Sequence, residues 1–156
     1  MKMTGFFILV YHLNFINLAE NCPNYHMNYP TIELEFGSVT ILENFMIAKM
    51  NEGILFDISK NETLLEIGTE VFQGKPYAYI SHRVNSYAVD PMVYKQSAKF
   101  PNLKVIAVVS DNEMTRSLAS TVEREFYTDS NCFQVFTELK NATNWVQGKL
   151  SLQITK

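Results

Sequence analysis

The residues best suited to chemistry lie in one polar stretch in the middle of the chain, which we call the 81–91 segment. It reads Ser81-His82-Arg83-Val84-Asn85-Ser86-Tyr87-Ala88-Val89-Asp90-Pro91. It joins the carboxyl end of a predicted strand to the amino end of a predicted helix, where open α/β sheets usually bind ligands. A helix amino terminus attracts anions through its free N–H groups and its dipole. The segment therefore predicts recognition of a partner or of an anion. The candidate binding residues are His82, Arg83, Asn85, Ser86, Tyr87 and Asp90.

The same residues also fit a purely structural role. Asn85, Ser86 and Asp90 are common turn and cap residues, and Arg83 could pair with a carboxylate elsewhere in the fold. The sequence leaves both interpretations open.

Signs of catalysis or of a bound cofactor are sparse. His82 has the right ordinary pKa for a general base, but no nucleophile and orienting group accompany it. The chain has six glycines and lacks the G-x-S-x-G, G-x-x-x-x-G-K-[ST] and G-x-G-x-x-G motifs. Cys22 and His26 lie four apart without a supporting C-x-x-C or H-x-x-x-H pair. We expect no enzyme activity, no metal and no other cofactor.

The amino-terminal elements that must position this segment read as an antiparallel meander. Residues 31–36 alternate apolar and polar side chains, which is typical of a half-buried strand. Gly37-Ser38 is predicted as a turn, residues 39–42 continue the strand, and residues 45–50 form a third one before the turn signal Asn51-Glu52-Gly53.

Helical and extended patterns then alternate. A capping box at Ser59 to Glu62 opens a helix whose Gly68 allows close packing, and a strand follows over 77–84. Asp90-Pro91 caps a short helix that ends near Ala98. The apolar run 103–109 is typical of a central parallel strand covered on both faces.

The last third of the chain repeats this alternation. A second capping box begins at Ser110, and the buried stripe of its helix is predicted to be Met114, Leu118, Val122 and Phe126. A strand over 132–136 precedes a last helix capped by Thr137. The predicted fold class is α/β, a mixed sheet with antiparallel amino-terminal strands followed by α-β-α-β-α-β-α.

Length and composition limit the class of protein. The chain has 156 residues, 47% of them apolar, and a net charge of −3. These values exclude a disordered chain and argue against a nucleic-acid partner, and no apolar run reaches the length of a membrane span. We predict a domain over 31–150, an atypical extension over 1–30 and a short tail over 151–156.

The first thirty residues carry only Lys2 and Glu20 as charged groups. Three interpretations stay open: a misassigned start with translation beginning at Met27, a poor export signal, or a loosely packed tail. The expected location is the cytoplasm, with export as the alternative.

The order of elements resembles a STAS domain, the fold of the bacterial anti-sigma-factor antagonists. More narrowly, Asn85-Ser86-Tyr87-Ala88-Val89-Asp90-Pro91, after a strand ending in His82-Arg83, resembles a Bacteroidetes-type subgroup grouped as STAS/SEC14-like. The resemblance covers about residues 32–148. It implies a non-enzymatic regulatory module that binds a protein partner. The SEC14-like label implies the alternative, a binder of a small lipid or nucleotide.

The resemblance also implies a site of regulation. STAS regulators are phosphorylated on a serine in a D-S-S-G motif, where this chain has Asn85-Ser86-Tyr87-Ala88. Ser86 matches the first serine, whereas Tyr87 replaces the usual phosphoacceptor. A phosphate on Ser86 would bring about −2 charge next to Arg83. A homodimer through the edge of the meander is also possible.

Overall fold

A computed structural model describes residues 29–127 and 129–154 of the chain. Its centre is a six-stranded sheet made of β1 Thr31–Leu34, β2 Gly37–Ile41, β3 Phe45–Met50, β5 Tyr77–His82, β7 Leu103–Val109 and β8 Phe133–Phe136. The strands lie side by side in the order β1-β2-β3-β5-β7-β8. The first three strands pair antiparallel, and the β3–β5, β5–β7 and β7–β8 pairs are parallel. The predicted α/β class with antiparallel amino-terminal strands is confirmed.

Two short strands and four helices complete the described part of the fold. The strands β4 Leu55–Phe56 and β6 Ala88–Val89 pair in parallel beside the main sheet. The helices are α1 Ile58–Val71, α2 Met92–Ala98, α3 Glu113–Thr121 and α4 Leu139–Ile154. Single turns of 3-10 helix occupy Glu123–Phe126 and Ser130–Cys132. The last helix thus continues past residue 150, where the sequence placed the end of the domain.

The sheet has a core on each face. One face packs against α1 and α2 through a cluster that includes Leu64, Tyr77 and Val93, and α3 adds Ala119 beside it. The opposite face packs against α4 through Ala142, Val146 and Leu150. Within the described residues, no helix has both the length and the apolar character needed to cross a membrane. Residues 1–28 of the predicted extension over 1–30, with its three interpretations, lie outside the described residues.

The predicted central strand is confirmed. β7 lies between β5 and β8, is parallel to both, and is buried from Val105 to Val109. Such a strand has helices on both faces, which explains why its sequence is continuously apolar rather than alternating.

The predicted turn at Gly37-Ser38 is wrong, because both residues belong to β2. The chain turns two residues earlier, at Glu35 and Phe36, whose carbonyls accept hydrogen bonds from Asn51. Gly37 is needed inside the strand because a Cβ there would collide with the backbone of Lys49 and Met50.

Both predicted capping boxes are displaced by two residues. The one at Ser59 begins two residues too late, and the one at Ser110 begins two residues too early. The first helix is capped by Asp57, whose side chain accepts from the Lys60 amide at 3.1 Å, and not by Ser59. The third is capped by Asn112, which accepts from the Thr115 amide at 3.0 Å, while Ser110 instead accepts from the Asn112 amide. Aspartate and asparagine cap as well as serine does, so neighbouring candidates compete.

The predicted buried stripe of α3 is wrong. Met114, Leu118 and Val122 are 74%, 54% and 45% exposed, whereas Ala119 is fully buried. Small Ala119 lets the helix approach β7 and β8, and Glu123 lies one turn further along the same buried face. Phe126, the fourth predicted member, is half-buried against the ring of Tyr94.

Candidate functional site

The 81–91 segment leaves the carboxyl end of β5 and is held down along its length. The Arg83 amide bonds to the Val109 carbonyl at 2.8 Å, and the Asn85 side chain donates to the Met50 carbonyl at 2.8 Å. The Gly53 amide donates to the Ser86 carbonyl at 2.7 Å, where a positive φ at Gly53 makes the turn possible. The segment is therefore a fixed edge of the fold rather than a loose loop.

Arg83 is the centre of a buried polar cluster. Its guanidinium donates to both carboxylate oxygens of Glu123, at 2.6 and 2.8 Å, and its Nε donates to the Ser81 hydroxyl at 3.2 Å. The ring of Tyr87 lies 5.9 Å from the guanidinium carbon, and its hydroxyl is 3.2 Å from that of Ser81. A planar, bidentate pair of this kind fixes both position and orientation. Of the two interpretations of Arg83, the structure shows the structural one, in which Arg83 pairs with a carboxylate.

The electrostatics of the cluster follow from burial. Burial lowers the pKa of Arg83, but the charge and hydrogen bonds of Glu123, together with Tyr87 and Tyr94, outweigh burial in sum, and the pKa lies above its ordinary value. Burial also raises the pKa of Tyr94, and the Glu123 carboxylate raises it further. The same two causes, in the same order, raise the pKa of Tyr127. Both tyrosines therefore stay protonated beside the Glu123 carboxylate.

The amino end of α2 is closed by its own sequence. The Asp90 side chain accepts a hydrogen bond from the Met92 amide at 2.9 Å, and the Asp90 carbonyl accepts from the Val93 amide. The helix is only seven residues long. A carboxylate already lies where an anion would bind, so the anion-binding interpretation of this terminus receives no support from the geometry.

Ser86 is exposed but lies in a setting that disfavours a phosphate. Its backbone amide donates to the Glu52 carboxylate at 2.7 Å, and β6 separates it from the start of α2. Arg83, the expected cationic partner, is engaged by Glu123. A phosphate on Ser86 would therefore meet a negative charge first.

His82 does not join the other candidates. Side chains alternate along β5, so Ser81 faces the α1–α2 side with Tyr77 and Tyr79, and His82 faces the α4 side with Ala78 and Ile80. Its Nδ1 is buried without a hydrogen-bond partner. Burial lowers the pKa of His82, and Lys49 lowers it further against the opposing effect of Asp111. Among the residues described, none forms a hydrogen bond with this Nδ1 nitrogen through which His82 could activate a nucleophile.

An open groove of about 320 Å³ lies above the Arg83–Glu123 pair, and we call it the α3 groove. One wall is the 81–91 segment, with Asn85, Ser86, Tyr87 and Pro91, and the other is α3 and the turn that follows it. Leu118 and Val122 form the apolar part of this second wall although both are largely exposed. The groove thus combines two exposed aliphatic side chains with a polar, rigid floor.

A second, much smaller cavity lies beneath the groove. It has a volume of about 30 Å³ and is bounded by Tyr79, Tyr87, Tyr94, Tyr127 and Arg83, among others. Such a space is sufficient for a single water molecule and is too small for a lipid or a nucleotide.

Several residues of this site could not be identified from sequence. Glu123 lies forty positions beyond Arg83, and its acidic side chain carried no motif. The helical spacing of Leu118 and Val122 predicts that both are buried, whereas the structure exposes them. Their exposure follows from which face of α3 carries Ala119, and that depends on tertiary packing. On α2, Met92 is 49% exposed, Tyr94 is half-buried and Val93 is buried.

Comparison with family models, with curated proteins and with solved structures finds no match for this chain. Across residues 29–127 and 129–154 no group of three or more His, Cys, Asp or Glu side chains is arranged to hold a metal ion.

Proposed function

We propose that the chain is a non-enzymatic, STAS-like regulatory module that binds a protein partner through the α3 groove. The single observation that carries the proposal is the exposure of Leu118 and Val122 along a groove whose other wall is the 81–91 segment. Exposed aliphatic side chains beside a polar rim are typical of protein-binding surfaces.

The rigidity of the groove supports the same proposal. The Arg83–Glu123 pair ties the segment after α3 to the end of β5. The other wall is held by the hydrogen bond that Asn85 donates to the Met50 carbonyl and by the one that the Gly53 amide donates to the Ser86 carbonyl. A wall that is already ordered loses little conformational entropy when a partner docks. The element order and the Asn85 to Pro91 sequence support the STAS-like part of the proposal.

The small-ligand alternative receives less support. A lipid or nucleotide carrier needs an enclosed pocket of several hundred Å³, whereas the space beneath the 81–91 segment is about 30 Å³. The α3 groove is larger but is open along its walls, which fits a side chain of a protein partner better than a buried small molecule.

The test compares two leucines that are both exposed on helices. Leu118→Glu places a charge in the groove, and the control Leu152→Glu places the same charge on α4, where Leu152 is 68% exposed. The bait is the full chain, and bound proteins are recovered from native lysate and identified by mass spectrometry. A protein recovered with wild type and with Leu152→Glu, but lost with Leu118→Glu, supports the proposal.

Hydrogen exchange on the recovered complex then locates the interface. Slower exchange at residues 84–91 and 113–122 is the expected result. A partner that binds all three forms equally, or that protects only other residues, rejects the α3 groove as the docking site.

A further inference from the structure

The outer edge of β8 is an open strand edge. β8 is the last strand of the six-stranded sheet and pairs only with β7 among the described residues. The Phe136 carbonyl accepts from the Ser110 amide at 3.1 Å on the β7 side. Because successive residues of a strand alternate the side to which their backbone groups point, Val135 presents its N–H and C=O outwards. An edge of this kind is a template for another strand.

A groove follows this edge, and we call it the β8 groove. It has a volume of about 370 Å³, and its base is formed by Phe133, Gln134 and Val135. Ser120 and Arg124 line it from the end of α3 and the turn after it, and Lys149 lines it from α4. The groove is thus the space that one further strand of the sheet would occupy.

The charges of the β8 groove favour an acidic occupant. Arg124 and Lys149 both line it, and neither forms a salt bridge within the described part of the chain. Lys149 lies 5.7 Å from the centre of the Trp145 ring. The nearby carboxylate of Asp129 accepts hydrogen bonds from the Asn131 amide and from the Cys132 thiol. These bonds lower the pKa of Asp129, and the charge of Lys149 contributes a smaller lowering, so Lys149 is partly balanced by this exposed carboxylate. Two cations therefore face an open strand edge.

We propose that the β8 groove binds an extended, acidic segment of a partner protein by strand addition. Main-chain hydrogen bonds to Val135 would supply register-specific contacts, and Arg124 and Lys149 would pair with the acidic side chains. This site is distinct from the α3 groove and does not depend on the function proposed for it.

A second copy of the chain fits this edge less well. Its β1 edge is acidic through Glu33, and Glu35 lies in the turn that follows. Pairing β1 of one copy with β8 of the next, however, is head-to-tail. Unless the rotation between copies closes a ring, such an interface repeats without end and builds a filament. A separate peptide segment avoids that consequence.

The test uses a capped seven-residue peptide of alternating valine and glutamate, titrated into the ¹⁵N-labelled full chain. We expect amide shifts centred on residues 133–136. The matching valine–lysine peptide should bind at least about tenfold more weakly, because its charges oppose Arg124 and Lys149. A valine–glutamate peptide methylated on alternate amides should lose binding, because it cannot form the ladder.

Charge reversal in the protein gives the second readout. The double variant Arg124→Glu, Lys149→Glu should weaken binding of the acidic peptide at least about tenfold and should gain binding of the lysine peptide. The control Lys75→Glu, Lys95→Glu changes the net charge equally at two exposed lysines outside the groove. The affinity of this control for the acidic peptide should stay within about twofold of the wild-type affinity. Shifts outside 133–136, equal binding of both peptides, or concentration-dependent filaments of the chain alone would overturn the proposal.

Discussion

Arg83 and Glu123 form a bidentate ion pair, with N–O distances of 2.6 and 2.8 Å, between the end of β5 and the 3-10 turn that follows α3. Their side chains are only 12% and 6% exposed. The pair therefore connects the two walls of the α3 groove from below, and the position of Leu118 and Val122 depends on it. Arg83, the cation of the 81–91 segment, thus has a structural role: it supports the α3 groove, whose exposed apolar surface comes from Leu118 and Val122.

Removing one partner of this pair should destabilise the fold strongly. Glu123→Ala leaves the Arg83 charge buried without its partner, which costs about 3–5 kcal/mol in comparable buried pairs. The double variant Arg83→Met, Glu123→Leu removes both charges and should recover most of that loss. Urea unfolding followed by circular dichroism measures each free energy of unfolding. A Glu123→Ala variant as stable as wild type would contradict the burial of the pair.

Gly68 is required by the ring of Tyr77. A Cβ at Gly68 would collide with the Cζ, Oη and Cε2 atoms of that ring. Gly68→Ala should therefore lower the free energy of unfolding by about 1–3 kcal/mol through overpacking, although alanine is the better helix former. Differential thermal unfolding provides the measurement.

Gly148 is the matched control for this substitution. A Cβ there meets open space on α4, so Gly148→Ala should raise the free energy of unfolding by about 1 kcal/mol. If both alanines stabilise the protein, α1 does not pack on Tyr77 as closely as described.

The predictable part of the fold was the part set by local patterns. The apolar run of β7 and the alternation of β1 depend on nearest neighbours in sequence; β7 appears where expected, and β1 begins where expected but ends two residues early, at Leu34. Close packing at Gly68 was likewise predicted from a glycine inside a helical pattern. The caps were displaced because Asp57 and Asn112 stand beside the predicted serines and bond equally well.

The part of the site that depends on tertiary contacts was not predictable. Helical spacing groups Met114, Leu118 and Val122 on one face but cannot say that the neighbouring face, with Ala119 and Glu123, is the buried one. The buried face is the one on which Ala119 packs against β7 and β8 and Glu123 pairs with Arg83, forty residues earlier in the chain. Similarly, the sequence placed His82 beside Arg83, whereas strand alternation sends the two side chains to opposite faces.

Protonation of His82 should make the protein less stable in mild acid. Its pKa in the folded protein is lowered, chiefly by burial, from an unfolded value near 6.5. The unfolded chain therefore binds the proton more readily than the folded protein. The stability that goes with a neutral His82 is fully present above about pH 6.5 and is lost as the pH falls towards the folded pKa. His82→Gln should flatten the fall in unfolding free energy between about pH 7 and pH 5.

Proton NMR of the histidine C2–H resonances checks the cause of that effect. The resonance that disappears in His82→Gln should titrate below pH 6.5 in the wild-type protein. A titration midpoint at or above 6.5 would show that burial does not govern His82.

Alanine substitutions at Leu118 and at Leu150 test whether the apolar stripe of α3 is exposed or buried. Leu118 is 54% exposed, and Leu150 on α4 is 1% exposed. Leu118→Ala should therefore change the free energy of unfolding by less than about 0.5 kcal/mol, whereas Leu150→Ala should lower it by about 2–5 kcal/mol through lost burial and a cavity. Urea unfolding of the two variants side by side gives the comparison. A cost at Leu118 similar to that at Leu150 would mean that α3 packs its apolar stripe inwards, and the α3 groove would then lack the aliphatic wall on which partner binding depends.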